Sequence, residues 1–304
     1  METLNQVLRV VSISLGASKR NASAELELAG KKFIVERLGT DGDLRKAKKL
    51  LEDLDGKAAA FGLGGTDLYV FAGKRRYTFR ESANLIANVH KTPVLDGSGL
   101  KDSLERKVIN ELAKSNLVPI KGAKVLLMCG VDRFGMAEAL QENGAEVTLG
   151  DLIFSLNINK PLKSLKSLDF WARILAPFIT RLPVSWFYPM GVEQEKRVVR
   201  HPEYFLENDI IAGDFHYIKK FMPDTLPGKT IITNTVTSAD REMLREAGVK
   251  LLITTTPCLD GRSFGTNVME ALLVALNGSK QALSAEKYLE LLERYHIEAS
   301  IEAL

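Results

Sequence analysis

The chain has 304 residues, of which 45% are hydrophobic and 26% charged, and 41 basic residues against 38 acidic ones leave a net charge of +3. That balance excludes a disordered chain, leaves room for two domains and gives no field suited to nucleic acid. Two cysteines, Cys129 and Cys258, are too few for a disulfide framework and fit a reducing compartment. With no signal-peptide pattern at the N-terminus and no apolar run of the ~18–20 residues that span a bilayer, the expected location is cytoplasmic.

In chain order, residues 10–15 read as a buried strand running into Ser18-Lys19-Arg20. Two runs, 26–28 and 33–38, flank Ala29-Gly30 as a hairpin. Asp41 and Asp43 offer N-caps for a helix with Ala47, Leu50, Leu51 and Leu54 on one face. A second buried strand, 58–63, ends in Gly64-Gly65-Thr66-Asp67, and a hairpin across Gly73 and a helix over 82–89 follow. The strand 93–95 leads to Asp96-Gly97-Ser98-Gly99, and a helix over 101–115 closes an N-terminal α/β substrate domain, residues 1–118.

Stronger periodicity marks residues 119–304. A strand at 124–128 is followed by a glycine turn, an amphipathic helix with Met136, Ala137 and Leu140 inward, and Gly144 at its end. Further strands are expected at 146–149, 210–212, 230–233 and 251–254, with helices from Ser238 and from Asn267, the latter with Glu270 placed as in a capping box. Strands alternating with helices predict a Rossmann-like parallel sheet covered on both faces.

The segment at about 157–200 breaks this rhythm. It holds both tryptophans, Trp171 and Trp186, with Phe170, Ile174, Phe178, Phe187 and Tyr188. One or two inserted amphipathic helices are expected, as a packed cap or homodimer surface that shields the indoles. A lid over the cleft is second, and membrane-surface contact through Lys160, Lys163, Lys166 and Arg173 third.

Between strand and helix stands Cys129-Gly130-Val131-Asp132-Arg133-Phe134-Gly135. A dinucleotide needs glycines for a tight turn and close backbone approach, a helix N-terminus facing the pyrophosphate, and an acid at the next strand's end for the ribose. Gly130, Asp132, Arg133, Phe134, Gly135 and Met136 supply the turn, without the middle glycine, and Asp151 the acid. Thr254, at the end of a later strand, completes the expected cofactor set. Asp151 argues for NAD, and Arg133 keeps NADP open. The alternative is a Rossmann-like unit without its ligand, Asp151 serving as a cap.

Polar loops follow the strands of both halves, where open α/β sheets bind ligands. Among four histidines only His216 follows a sheet strand. It is a candidate base beside Lys101, with Asp96 or Asp214 to orient the base. Lys19 and Arg20 are candidates for an anionic substrate group, and Asp67 lies in the same set of loops. No His or Cys spacing suggests a metal site, and the cysteines read as small buried residues rather than nucleophiles.

The stretches Gly62-Leu63-Gly64-Gly65-Thr66-Asp67-Leu68-Tyr69, Val131-Asp132-Arg133-Phe134-Gly135-Met136 and Gly213-Asp214-Phe215-His216-Tyr217-Ile218 are similar to a bacterial group labelled quinate 5-dehydrogenase-like. So is Gly261-Arg262-Ser263-Phe264-Gly265-Thr266-Asn267. The order of domains resembles, more distantly, the shikimate/quinate dehydrogenase superfamily. That resemblance implies a two-domain α/β fold and an NAD(P)-dependent oxidoreductase acting on a small, quinate- or shikimate-like hydroxy acid in an interdomain cleft. The superfamily's Asn-Val-Thr-x-Pro-x-Lys and Asn-Thr-Asp-x-x-Gly segments are absent, so Lys101 takes the lysine's role by position alone. The rival expectation is a dehydrogenase-like sensor that binds a nucleotide or metabolite without turnover.

Overall fold

A computed structural model describes residues 7–186, 197–256, 258–259 and 262–304. The first half runs β1 (Leu8–Ser14), β2 (Ala22–Leu28), β3 (Lys31–Gly39), α1 (Leu44–Leu54), β4 (Ala60–Gly64), β5 (Tyr69–Ala72), β6 (Arg75–Thr78), α2 (Arg80–Ile86), β7 (Val94–Leu95) and α3 (Ser98–Ser115). Its main sheet has the order β2-β3-β1-β4-β7, parallel except for the β2–β3 hairpin. Ala29 and Gly30, at φ 54 and 73, form the two-residue turn that matches the twist of that hairpin. Asp43 caps α1 by accepting from the N–H groups of Arg45 and Lys46.

Beyond it come β8 (Lys124–Leu127), α4 (Phe134–Glu142), β9 (Glu146–Leu149), α5 (Leu165–Ile179), α6 (Pro202–Glu207), β10 (Ile210–Gly213), α7 (Phe215–Phe221), β11 (Thr230–Thr233), α8 (Ser238–Glu246) and β12 (Leu251–Thr254). The last elements are β13 (Cys258–Leu259), β14 (Arg262–Ser263), α9 (Thr266–Asn277), α10 (Ala285–Arg294) and β15 (Ser300–Ala303). The sheet order is β15-β12-β11-β10-β8-β9, parallel apart from β15. The expected two-domain α/β architecture, with a Rossmann-like parallel sheet in the second half, is therefore what the chain forms. The antiparallel edge strand β15 has no counterpart in the sequence reading.

Alternation along β8 shows how the layers are built. Val125 and Leu127 face one apolar cluster, Leu126 and Met128 another. The first cluster continues through α3, α4 and α9 to Val10, Phe33 and Ala60 of the N-terminal sheet. A helical layer thus lies between the sheets: α9 packs on β1, β4 and β7, and α3 packs on α4, α9 and α10. Across the division expected after residue 118, α3 is seated on α4 and α9 returns to the first sheet. The reason is hydrophobic: α9 is buried on nearly every side, from Thr266 to Leu276, and only a second sheet covers its far face.

Two other expectations are corrected. Glu270 takes no part in a capping box, since α9 begins after Gly265 without a side-chain cap. Instead Glu270 is buried and accepts a hydrogen bond from the Tyr288 hydroxyl at 2.6 Å. Burial, with Asp96 nearby, pushes its carboxyl up to about 8. The folded state therefore keeps a proton that the unfolded chain has lost, so this group's contribution to stability falls as pH rises from about 4.5 to about 8. Glu270→Gln should flatten that part of the stability profile, read from urea midpoints. An unchanged slope would show that Glu270 titrates normally.

In the insert, α5 forms as expected, with Leu168, Ala172 and Ala176 inward. Trp171 is half-buried against the core. Trp186, expected to be shielded by a packed cap or by a homodimer partner, is 69% exposed in the single chain. Phe187 and Tyr188 lie outside the described residues.

Candidate functional site

Both sheets reverse strand order at one place. In the first it is between β1 and β4, in the second between β8 and β10. Ligands of open α/β sheets bind outside the carboxyl ends of strands at such points. Here both points open into one cleft of about 790 Å³, lined from both halves of the chain by Ser14, Gly65, Asp67 and Lys101 and by Asp132, Asp214, His216 and Asn234. That volume is within the ~300–1,000 Å³ usual for small-molecule sites.

A chain of buried charges crosses its floor. The sequence reading began the helix at Lys101; α3 begins at Ser98 and puts Lys101 in its first turn. Its ammonium donates to Asp67 at 2.7 Å and to Asp132 at 2.6 Å. Arg133, 1% exposed, is paired with Glu105 and, at 3.1 Å, with Asp214. Asp132 lies 3.5 Å from Arg133 and so links the two cations. Four carboxylates thus share two positive charges, and the surplus has to be relieved by protonation. Burial, with Asp132 and Asp96 nearby, raises Asp67 to about 7 against the pull of Lys101. Glu105 is raised by burial as well. Burial would lower Lys101, but Asp132 and Asp67 outweigh it and hold its pKa well above the ordinary value.

That changes the expected roles. A lysine clamped by two carboxylates is a cation, not a proton acceptor at neutral pH. Asp67, raised to about 7, is the carboxylate of this cluster that titrates near neutral pH. Asp96, expected to orient the base, spends its carboxylate on the N–H groups of Leu68, Tyr69 and Ser98. Asp214 caps α7 through the His216 N–H and also accepts from Asn234 at 2.8 Å. His216 lines the cleft, and burial lowers its pKa, so the ring is neutral at pH 7. Of the two cations expected to meet an anion, Arg20 lines the cleft, whereas Lys19 is exposed and does not.

Sequence reading missed Arg37, which lines the cleft beside Arg20. Its guanidinium donates to neutral acceptors, Ala17 O and Ser14 Oγ. Burial and the charge of Arg20 lower its pKa to about 10, which leaves it charged at pH 7. A signal was present: Arg37 continues the alternation of Phe33 and Val35 on the inward face of β3. Likewise Lys101 and Glu105 keep the helical spacing of Val108 and Leu112, all buried on α3. Charges at core positions are costly unless they are paired.

A dinucleotide does not fit the turn at Gly130. Asp151, expected to grip a ribose, instead accepts from the N–H groups of Gly130 and Val131 at 2.9 Å each and so fills the turn with its own carboxylate. A Cβ on Gly130 would lie 2.9 Å from the Leu168 side chain of α5, and one on Gly135 would lie 2.5 Å from the Asp102 carbonyl of α3. The Cβ sides of both glycines therefore face protein, where a fingerprint glycine would face phosphate or sheet. Beside Asp151 there remains an apolar pocket of about 90 Å³ under α5, far below the ~300 Å³ of small ligand sites. Phe134 and Met136 are packed in the core, Arg133 is consumed by carboxylates, and Thr254 is buried away from the cleft. Cys129, expected to be buried, is half-buried and lines the cleft; its thiol donates to Asp151 at 3.6 Å, and its pKa is raised by desolvation and by the Asp151 carboxylate. Gly135→Ala should cost about 1–3 kcal/mol through this overpacking, and titration of NADH or NADPH should give no saturable fluorescence change. A melting temperature unaffected by Gly135→Ala, or saturable cofactor binding, would contradict this account of the turn.

Among the described residues no cluster of His, Cys, Asp or Glu could hold a metal ion, and no helix is long and apolar enough to cross a membrane. No curated protein matches the sequence. Among solved structures, NAD-dependent malic enzyme of Thermotoga maritima is similar at 17% identity over 95% of this chain and 77% of its own, with a TM-score of 0.42. The hetero-hexameric glutamate dehydrogenase of Thermus thermophilus gives 13%, 96%, 73% and 0.42 in the same order. A galactofuranose binding protein gives 11%, 95%, 98% and 0.36. Likenesses this distant, to enzymes and to a binding protein alike, assign no activity to this chain. Two family profiles divide it: residues 9–96 match a domain of unknown function, DUF8753, and residues 99–304 match another, DUF8754. Neither description names quinate or shikimate chemistry. With two thirds of its length matched by the second profile, the chain belongs to the DUF8754 family.

Proposed function

We propose that the chain is an enzyme that takes a proton from a small hydroxylated anion held in the cleft between its two sheets. The observation that carries this reading is the Asp67–Lys101–Asp132 cluster at the floor of that cleft, with Asp67 titrating near neutrality. A base is most effective when its pKa lies near the working pH. Arg20 and Arg37, neither paired with a carboxylate among the described residues, supply the charge for a substrate carboxylate or phosphate.

Each residue then has a task. Asp67 accepts the substrate proton, and Lys101 remains charged and stabilises the developing oxyanion. Asp132 accepts a second hydrogen bond from Lys101 and holds it in place. The oxidoreductase reading of the sequence is compatible with proton removal from a hydroxyl, but no hydride step is assigned to the Gly130–Asp151 turn, where the dinucleotide does not fit.

A second reading, binding of a metabolite without turnover, is favoured by that same closed turn. Turnover separates the two. Hydroxylated ring acids, other small hydroxy acids and their phosphate esters are assayed with and without NAD and NADP, comparing wild type with Asp67→Asn. Ligands that raise the melting temperature but are never converted would favour binding alone.

A further inference from the structure

The cleft makes no use of the outer face of α5. Residues 157–186 contain five cations, Lys160, Lys163, Lys166, Arg173 and Arg181, and one carboxylate, Asp169. While Leu168, Ala172 and Ala176 point into the core, Phe170, Ile174 and Phe178 recur every four residues on the opposite face. They are 57%, 45% and 69% exposed. Trp186, beyond the end of the helix, is exposed as well. Large apolar side chains grouped in this way mark a surface that is covered in use.

Charge decides what covers it. Lys166, Arg173 and Arg181 are exposed alongside the stripe; Arg173 and Asp169 pair at 2.5 Å and cancel, which leaves Lys166 and Arg181 as its net positive charge. A second copy docked by two-fold symmetry would set this cationic face against itself. An anionic bilayer satisfies both halves of the pattern: aromatic rings settle at headgroup level, and the cations meet lipid phosphates. We infer that α5 docks the protein, lying flat, on an anionic membrane surface. No residue of α5 lines the cleft, so the inference stands or falls without the cleft chemistry.

The test is co-sedimentation of the full chain with vesicles of phosphatidylcholine alone or mixed with phosphatidylglycerol. Binding to the mixed vesicles at low salt, and release as salt screens the cations, is expected. Ile174→Ser/Phe178→Ser and Lys166→Gln/Arg181→Gln should each lower the partition at least about tenfold. All four substituted residues are exposed, and circular dichroism checks that the fold is kept. Absence of binding to mixed vesicles overturns the inference, as does equal binding to phosphatidylcholine alone or binding that both variants retain. A dimer in light scattering that Phe178→Ser abolishes would assign the stripe to a second copy and overturn it too.

Discussion

Asp67→Asn is expected to lower turnover of a cleft substrate by ~10²–10⁴-fold, the usual contribution of a positioned general base. The substitution keeps the shape of the side chain and an oxygen that accepts from Lys101, and Lys101 retains Asp132 at 2.6 Å. Folding stability should therefore hold. It should even rise above neutral pH, because a buried carboxylate whose pKa is raised to about 7 destabilises the fold once it is ionised. The pH profile carries the sharper signature. Activity of the wild type should climb as Asp67 loses its proton near pH 7, and the residual activity of Asp67→Asn should lack that limb. An ascending limb that persists in the variant would move the base elsewhere, with His216 the next group in the cleft.

Arg133→Met should destabilise the protein by about 3–5 kcal/mol, the typical cost of breaking a buried pair by removing one partner. The Glu105 side chain is fully buried, and Arg133 is its cation. Without the guanidinium, Glu105 must take up a proton in the core, and Asp214 loses a partner at 3.1 Å. A fall in Tm on the order of 10 °C is the expected readout. Replacing both members, in Arg133→Met/Glu105→Leu, removes the orphaned charge and should recover most of the loss, since apolar pairs of similar volume often match buried ion pairs. A single variant within about 1 kcal/mol of wild type would mean that water reaches Glu105 and that the charge cluster is not sealed.

Local chemistry made much of the fold legible. Ala29-Gly30, Asp43 and the apolar runs ahead of Gly64, Asp96 and Gly130 each act through neighbours a few residues away, so turns, caps and strands could be read from them. The same reading reached the right edge of each sheet and named Asp67, Lys101, Asp214 and His216, because loops after parallel strands are where ligands gather. It could not reach what depends on the residues that pack opposite. Nothing near Asp151 in sequence tells that Leu168 of α5 covers Gly130, or that Asp102 of α3 closes Gly135.

By itself, then, the sequence determined a two-sheet α/β protein with a strand–turn–helix at Gly130 and polar loops at both sheet edges, since periodicity, capping and turn geometry are local properties. Only the tertiary structure decided that α3 and α9 form a common layer between the sheets and that the glycine turn is filled by Asp151. It also decided that Lys101, Asp67 and Asp132 share one buried site. Contacts such as Lys101 with Asp67, 34 residues apart, or Arg133 with Asp214, 81 apart, arise from the order in which strands are laid down. The protonation states that set their roles follow from burial and from charges brought together across that distance.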